Sequence, residues 1–198
     1  MVRKKKSAED RRTEIIDTTI SVLAFEGYAS VTMRSIADRI GVHLSTLQYY
    51  FPTKRDLLRS AIDKCIESDF LEQQRLAQDS TTEPGAQLRK VLAVHLHASA
   101  DPMISKVFST LWGIAAHDSG VEQLLNNFYQ QQIELYAKLL KRNYPGWPAK
   151  KCVRRAILVV AQLEGLALFV APGKPRLVDL KTLQTELFAT VIPVDGSD

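Results

Sequence analysis

The chain has 198 residues, 45% of them hydrophobic and 24% charged, an ordinary globular composition with enough length to bury a substantial core. A membrane span needs roughly 18 consecutive apolar residues; the most apolar stretch, from Ala156 to Ala171, is broken by Gln162 and Glu164, and no apolar leader follows the basic start Arg3-Lys4-Lys5-Lys6, so the expected compartment is the cytoplasm. The whole surplus of positive charge lies in residues 1–59, which hold eleven lysines and arginines against seven acidic residues, while the other 139 residues hold fifteen of each. That is the pattern of a part that approaches phosphate joined to a part that does not.

Helical periodicity with Gly and Pro punctuation runs through the chain, and strand-like alternation is nearly absent. A first helix is expected from Ser7, with Asp10 completing a capping box, to Gly27 as a left-handed cap. Ile16, Ile20 and Leu23 form its apolar face. A second helix runs from the cap Thr32 to Ile40, burying Met33, Ile36, Ala37 and Ile40; Gly41-Val42 is a turn. A third covers about His43 to Phe51. Pro52 ends it, and Thr53 with Asp56 caps a fourth that continues toward Gln78. After the polar loop Asp79 to Gly85, further helices are expected at about 85–100, 102–117, 120–143, 148–171 and 177–190, the last two separated by Pro172-Gly173-Lys174-Pro175. Cys65 and Cys152 stand far apart and in no metal-binding spacing, so reduced thiols are expected ahead of a disulfide.

Two short helices joined by a Gly-containing turn, the second polar and aromatic on its outer side, make a helix-turn-helix pattern. Leu47 is the inward residue of the third helix, and Leu44, Ser45, Thr46, Gln48 and Tyr49 cover the rest of its first two turns. Such a helix is narrow and polar enough at its start for a major groove about 12 Å wide.

The run Thr32-Met33-Arg34-Ser35-Ile36-Ala37, then Gly41-Val42, then Leu47-Gln48-Tyr49-Tyr50-Phe51-Pro52-Thr53-Lys54-Arg55-Asp56-Leu57-Leu58, resembles the signature of the TetR (tetracycline-repressor) family of bacterial regulators. The resemblance implies an all-α homodimer. Residues 1–55 would form a three-helix DNA-binding head for a palindromic operator. Residues 56–198 would form a larger helical domain for effector binding and dimerisation, giving about nine helices in all. Position by position, it implies phosphate contacts for Thr32 and Lys54, each at a helix N-terminus that also favours an anion. Arg34 corresponds to a position that reaches a base edge or a phosphate. His43, Leu44, Ser45, Thr46 and Tyr49 correspond to the groove-facing part of the recognition helix. Tyr50 and Phe51 match its closing aromatic pair, Tyr50 with a hydroxyl for phosphate and Phe51 as core. His43 replaces the usual Ser or Thr and is a poorer cap. Gln48 stands where Tyr is common and can bond phosphate or adenine. Leu44 either meets a thymine methyl or shields the turn. The basic arm either adds phosphate contacts or is a solubilising tail.

In the C-terminal part, Ile157, Ala161, Gly165 and Leu168 share one helix at helical spacing. By the resemblance this helix and the last one pair with their symmetry mates; the alternative is a monomer core. Polar or aromatic residues in apolar surroundings are the candidates for a small-molecule effector pocket: His95, His97, Phe108, Trp112, His117, Phe128, Tyr129, Gln162 and Glu164. Each is otherwise a satisfied core or interface residue. A buried, unpaired Glu164 is costly; it serves a cationic effector or pairs with a basic residue across the dimer. No cofactor, metal site or catalytic residue is expected, since His95 and His97 point to different faces of a helix and no nucleophile or phosphate-loop motif occurs. The expected partners are duplex DNA, a second copy of the chain and an effector, without a membrane; an enzyme and a protein-binding helical adaptor are the rival readings.

Overall fold

A computed structural model of the chain describes residues 7–170 and 179–191, the side chains of 66–69 excepted. All regular structure in these residues is helical: α1 (Ala8–Glu26), a 3-10 turn (Tyr28–Ser30), α2 (Met33–Ile40), α3 (Leu44–Tyr50), α4 (Lys54–Gln78), α5 (Pro84–Ser99), α6 (Pro102–Ala115), α7 (Ser119–Asn143), α8 (Ala149–Val170) and α9 (Leu180–Val191). These are the helices expected from sequence, with ends displaced by no more than three residues. The basic arm and the Pro172–Pro175 breaker lie outside the described residues. No helix among them is long and apolar enough to cross a membrane.

Side-chain caps set the starts of α1, α2 and α4. Ser7 Oγ accepts from the Asp10 amide at 3.0 Å while Asp10 accepts from the Ser7 amide at 3.2 Å. Thr32 and Ser35 exchange the same pair of bonds at 3.0 and 3.1 Å, as do Thr53 and Asp56, each at 3.1 Å. Each box satisfies backbone donors that a helix leaves open at its start. Gly27 departs from expectation: its φ of 82° comes with ψ of 171°, so it is not a left-handed helical cap but an extended kink that feeds directly into the 3-10 turn. Gly41, at φ 68° and ψ 43°, does take the left-handed conformation, which a side chain would strain.

The chain groups into two compact units, Met1–Glu67 with Lys106–Leu125 and Ser68–Ser105 with Asn126–Asp198. In the first, Ile15, Leu23, Val31, Ile36, Leu47, Leu57 and Ala61 are completely buried. The Arg12 guanidinium lies over the Phe51 ring, 4.7 Å from its centroid, a cation–π contact at the edge of this core. In the second unit, α5 packs against α8 and α9 around Leu88, Leu92, Leu96, Tyr136, Leu140, Ala156 and Leu163. Cys152 belongs to this core, and neither cysteine forms a disulfide.

One buried amide closes the end of α4. Gln87 Nε2 lies 2.9, 3.1 and 2.7 Å from the carbonyls of Leu76, Ala77 and Asp79, and its Oε1 accepts from Arg142 at 2.8 Å. These carbonyls, in the last turn of the helix and just past it, lack the amides of a following turn; Leu76 also accepts from the Asp79 amide at 3.3 Å and Ala77 from Arg142 at 2.8 Å. Gln87→Leu is therefore expected to cost about 1–3 kcal/mol in urea unfolding, whereas a loss below ~0.5 kcal/mol would mean that water replaces the amide.

Candidate nucleic-acid interface and effector site

The recognition segment is α3, seven residues long, and Leu47 is its only buried residue. A helix this short is not stable alone; packing of Leu47 and of α2 holds it in place. Ser45, Gln48 and Tyr49 are exposed, Tyr49 to 82%, and Leu44, Thr46 and Tyr50 are half-buried. The Tyr49 and Tyr50 rings meet edge to face at 5.3 Å. His43 precedes the helix without a side-chain cap; only its carbonyl is engaged, accepting from Thr46 at 2.9 Å and Leu47 at 3.2 Å. Thr32 and Arg34 are exposed at the start of α2, and Phe51 is core.

Lys54, at the start of α4, has neighbours that sequence reasoning missed. Its ammonium stands 3.6 Å from the centre of the Tyr28 ring. The Tyr28 hydroxyl donates to Asp118 Oδ2 at 2.9 Å, and Asp118 Oδ1 accepts from the amides of Gly120 at 2.9 Å and Val121 at 3.2 Å. Beside it, Arg55 donates to Gln123 at 2.7 Å. The start of α7 is thus tied to the turn before α2 and to the first turn of α4. Burial lowers the Lys54 ammonium from its ordinary range, with Asp118 opposing.

Donation from Tyr28, and then from the Val121 and Gly120 amides, holds the Asp118 carboxyl below the usual carboxylate range. Partial burial first, and the bond and charge of Asp118 next, push the Tyr28 hydroxyl up to about 12. A depressed carboxyl contributes stability above its unfolded pKa, about 3.9, and loses it as pH falls further. A raised phenol contributes below about pH 10 and loses this as pH climbs through its folded value. Asp118→Asn should accordingly flatten the acid limb of a plot of urea midpoint against pH. Parallel curves for the two proteins would remove the coupling.

In the second unit the structure brings together three groups. His95 Nδ1 lies 3.0 Å from the Tyr136 hydroxyl, and His95 Nε2 lies 3.4 Å from Glu164 Oε1. Burial, then the Glu164 charge, keeps the Tyr136 phenol protonated far into the alkaline range. Phe128 and Tyr129 touch at 5.2 Å on α7. Other candidates fall elsewhere: Phe108 and Trp112 belong to the first unit, and Gln162 is exposed on α8. His97 is exposed and bonded to the Ala93 carbonyl of its own helix at 2.7 Å, and His117 lies in the first unit. No three His, Cys, Asp or Glu among the described residues are grouped to hold a metal.

Tyr136 and Gln132 were not anticipated. The signal was present: buried positions on α7 run Val121, Leu125, Phe128, Gln132, Tyr136 and Leu139, a three-and-four spacing in which Gln132 takes a core place. On α8, Ile157, Ala161 and Leu168 are exposed together with Val153, Leu158 and Phe169. Gly165 is half-buried, and a Cβ built there would meet nothing within 4 Å.

Among the described residues all regular structure is helical, and the head presents a short polar helix seated on a buried leucine, the form of a helix-turn-helix. Residues 15–61 match the family model described as bacterial regulatory proteins, tetR family. An uncharacterised HTH-type transcriptional regulator in the dhlA 5' region of Xanthobacter autotrophicus is 28% identical over 88% of this chain and 85% of its own length. The HTH-type transcriptional repressor KstR of Mycobacterium tuberculosis is 44% identical over 55 residues, 28% of this chain and 25% of that protein. Among solved structures, a transcriptional regulator from Pseudomonas aeruginosa superposes with a TM-score of 0.84 at 18% identity, over 96% of this chain and 93% of that one. The match makes residues 15–61 a segment of the tetR family type, and along most of its length the chain is similar to transcriptional regulators.

Proposed function

We propose that the protein is a repressor that binds a palindromic duplex operator as a homodimer in the cytoplasm, is released by a small-molecule effector and catalyses no reaction itself. The observation that carries this reading is α3: one buried residue, Leu47, fixes a helix whose Ser45, Gln48 and Tyr49 face solvent. In this reading those residues, with Thr46, meet bases in the major groove. His43 stands at the groove-facing start of the same helix, Arg34 reaches a base edge or a phosphate, and Thr32, Tyr50 and Lys54 hold the flanking phosphates, which position the head without reading sequence. Lys54 must then exchange the Tyr28 ring for a phosphate. Residues 1–55 act as the head and 56–198 as the effector and dimer part. The exposed apolar stripe of α8 supports dimerisation, because a two-headed protein on a palindrome needs a two-fold contact.

The test is selection of genomic fragments on the immobilised full chain, followed by titration from about 50 to 200 mM salt. The expected result is a small set of fragments held at least ~10³-fold more tightly than bulk DNA. Uniform, non-specific affinity for every fragment would overturn the reading.

A further inference from the structure

The first turn of α4 carries two adjacent cations, and both are engaged inside the protein. Lys54 Nζ lies 3.6 Å from the centre of the Tyr28 ring, and Arg55 donates to Gln123 Oε1 at 2.7 Å. Tyr28 in turn donates to Asp118 Oδ2 at 2.9 Å. All of these residues belong to the first unit. A cavity of about 170 Å³ borders them, lined in part by Tyr28, Lys54, Arg55 and Asp118 with the apolar Leu58 and Leu124.

The anion of this cluster is fixed and the cation is not. Asp118 accepts on both oxygens: Tyr28 holds Oδ2, and the Gly120 and Val121 amides hold Oδ1 at 2.9 and 3.2 Å. Turning the carboxylate away would break all of these bonds, including the cap of α7. Lys54 is half-buried, on a flexible four-carbon stem with rotatable donors, and the bordering cavity gives that stem room to swing. The Asp118 charge opposes the effect of burial on the ammonium, so the two groups sense each other. A phosphate oxygen must come within about 2.7–2.9 Å of an ammonium to bond it. On the ring face that approach brings a second anion toward Asp118, and like charges repel.

We propose that Tyr28 and Asp118 form an autoinhibitory clamp that withholds Lys54 from DNA phosphate, so that the lysine serves either the clamp or the duplex. The inference rests on the DNA-binding reading above and adds a regulation of that same contact. Asp118 lies outside residues 1–55, so a residue beyond the head sets the affinity of the head. The effect is reciprocal: DNA that takes Lys54 removes the cation beside Asp118, and whatever holds the clamp closed weakens binding to DNA. A phosphate contact carries no base information. The clamp therefore scales affinity for every duplex without changing which sequence is preferred.

The experiment is fluorescence anisotropy of the full-length protein on two labelled duplexes, the genomic fragment it retains best and an unrelated sequence of equal length. Asp118→Asn removes the charge and keeps an acceptor for the α7 amides; Asp118→Ser is a second uncharged cap. Each should tighten binding to both duplexes by at least about fivefold and leave their ratio unchanged. Lys54→Met should weaken both and make the salt slope shallower by about 0.9. With Lys54→Met in place, the Asp118 changes should alter affinity by less than about twofold. An equal gain with and without Lys54 would reduce Asp118 to a distant charge and overturn the proposal. So would weaker binding by Asp118 variants that circular dichroism shows folded, because the clamp would then present Lys54 to the phosphate. An unchanged salt slope in Lys54→Met would remove the phosphate contact itself. Selective DNA binding indifferent to Asp118 would sink the clamp and leave the regulator standing. The expected gain on both duplexes, with no fragment preferred, would sink the operator reading and leave the clamp.

Discussion

Leu158→Arg is expected to convert the protein into a monomer and to lower its affinity for the operator by about 10²–10⁴-fold, the advantage that joining two binding modules confers. The reasoning begins with exposure. Val153, Ile157, Leu158, Leu168 and Phe169 lie on one helix and are 43% to 71% exposed, whereas Val159, Val160 and Leu163 of the same helix are buried in the protomer. A helix with apolar side chains on more than one side needs partners for each, and among the described residues α8 packs on α5 and α9 while these side chains stay exposed. Contiguous apolar surface of this kind marks an interaction site rather than scattered exposure. A guanidinium at Leu158 would have to be buried against its own symmetry mate, two like charges in an apolar contact. Sedimentation velocity reads the assembly, and anisotropy on a labelled operator reads the affinity. A monomer that still binds the operator tightly would separate dimerisation from recognition. A dimer that persists would move the interface away from this stripe.

Leu47→Ala is the second large effect. Leu47 is fully buried and is the only residue that α3 contributes to the core. Truncating a buried leucine costs about 2–5 kcal/mol, and here the loss falls on a helix of seven residues whose other side chains are exposed or half-buried. Specific DNA binding should disappear while the chain remains largely helical by circular dichroism. Leu47→Met, which nearly conserves volume, should keep binding, its cost below ~1.5 kcal/mol. The adjacent Gln48→Ala is the informative contrast. Gln48 is exposed, so the change should leave the unfolding midpoint in place and alter only the ranking of operator variants, by about 1–3 kcal/mol at the base it reads. If Gln48→Ala instead weakened all sequences equally, Gln48 would be a phosphate contact.

The head was largely legible from sequence because its determinants are local. Thr32, Gly41, Pro52 and the Thr53–Asp56 pair act within three or four residues of themselves, through caps and turns whose chemistry is carried by residue type. The left-handed cap expected of Gly27 failed because a positive φ leaves ψ open, and the 3-10 turn after it set ψ. Asp118 was out of reach of such reasoning: its partners Tyr28 and Lys54 lie 90 and 64 positions away, and an Asp before a helix reads first as a cap, which it also is. The effector candidates were legible only in part. His95 and Glu164 are linked in the structure, but the side of α8 that faces inward could not be taken from composition, so Gln162 was placed inside and is exposed. Gln132 was overlooked because a single glutamine in a polar stretch of α7, Gln130 to Gln132, reveals its burial only through the spacing of its apolar neighbours.

Hydroxyl-radical footprinting of the full chain on a fragment recovered by genomic selection tests the central claim most directly. The account predicts two symmetric protected half-sites, centred one helical turn or a whole multiple apart, about 34–36 Å per turn, and loss of both together with Leu158→Arg. A single protected half-site, or protection unaffected when the α8 stripe carries a charge, would contradict it.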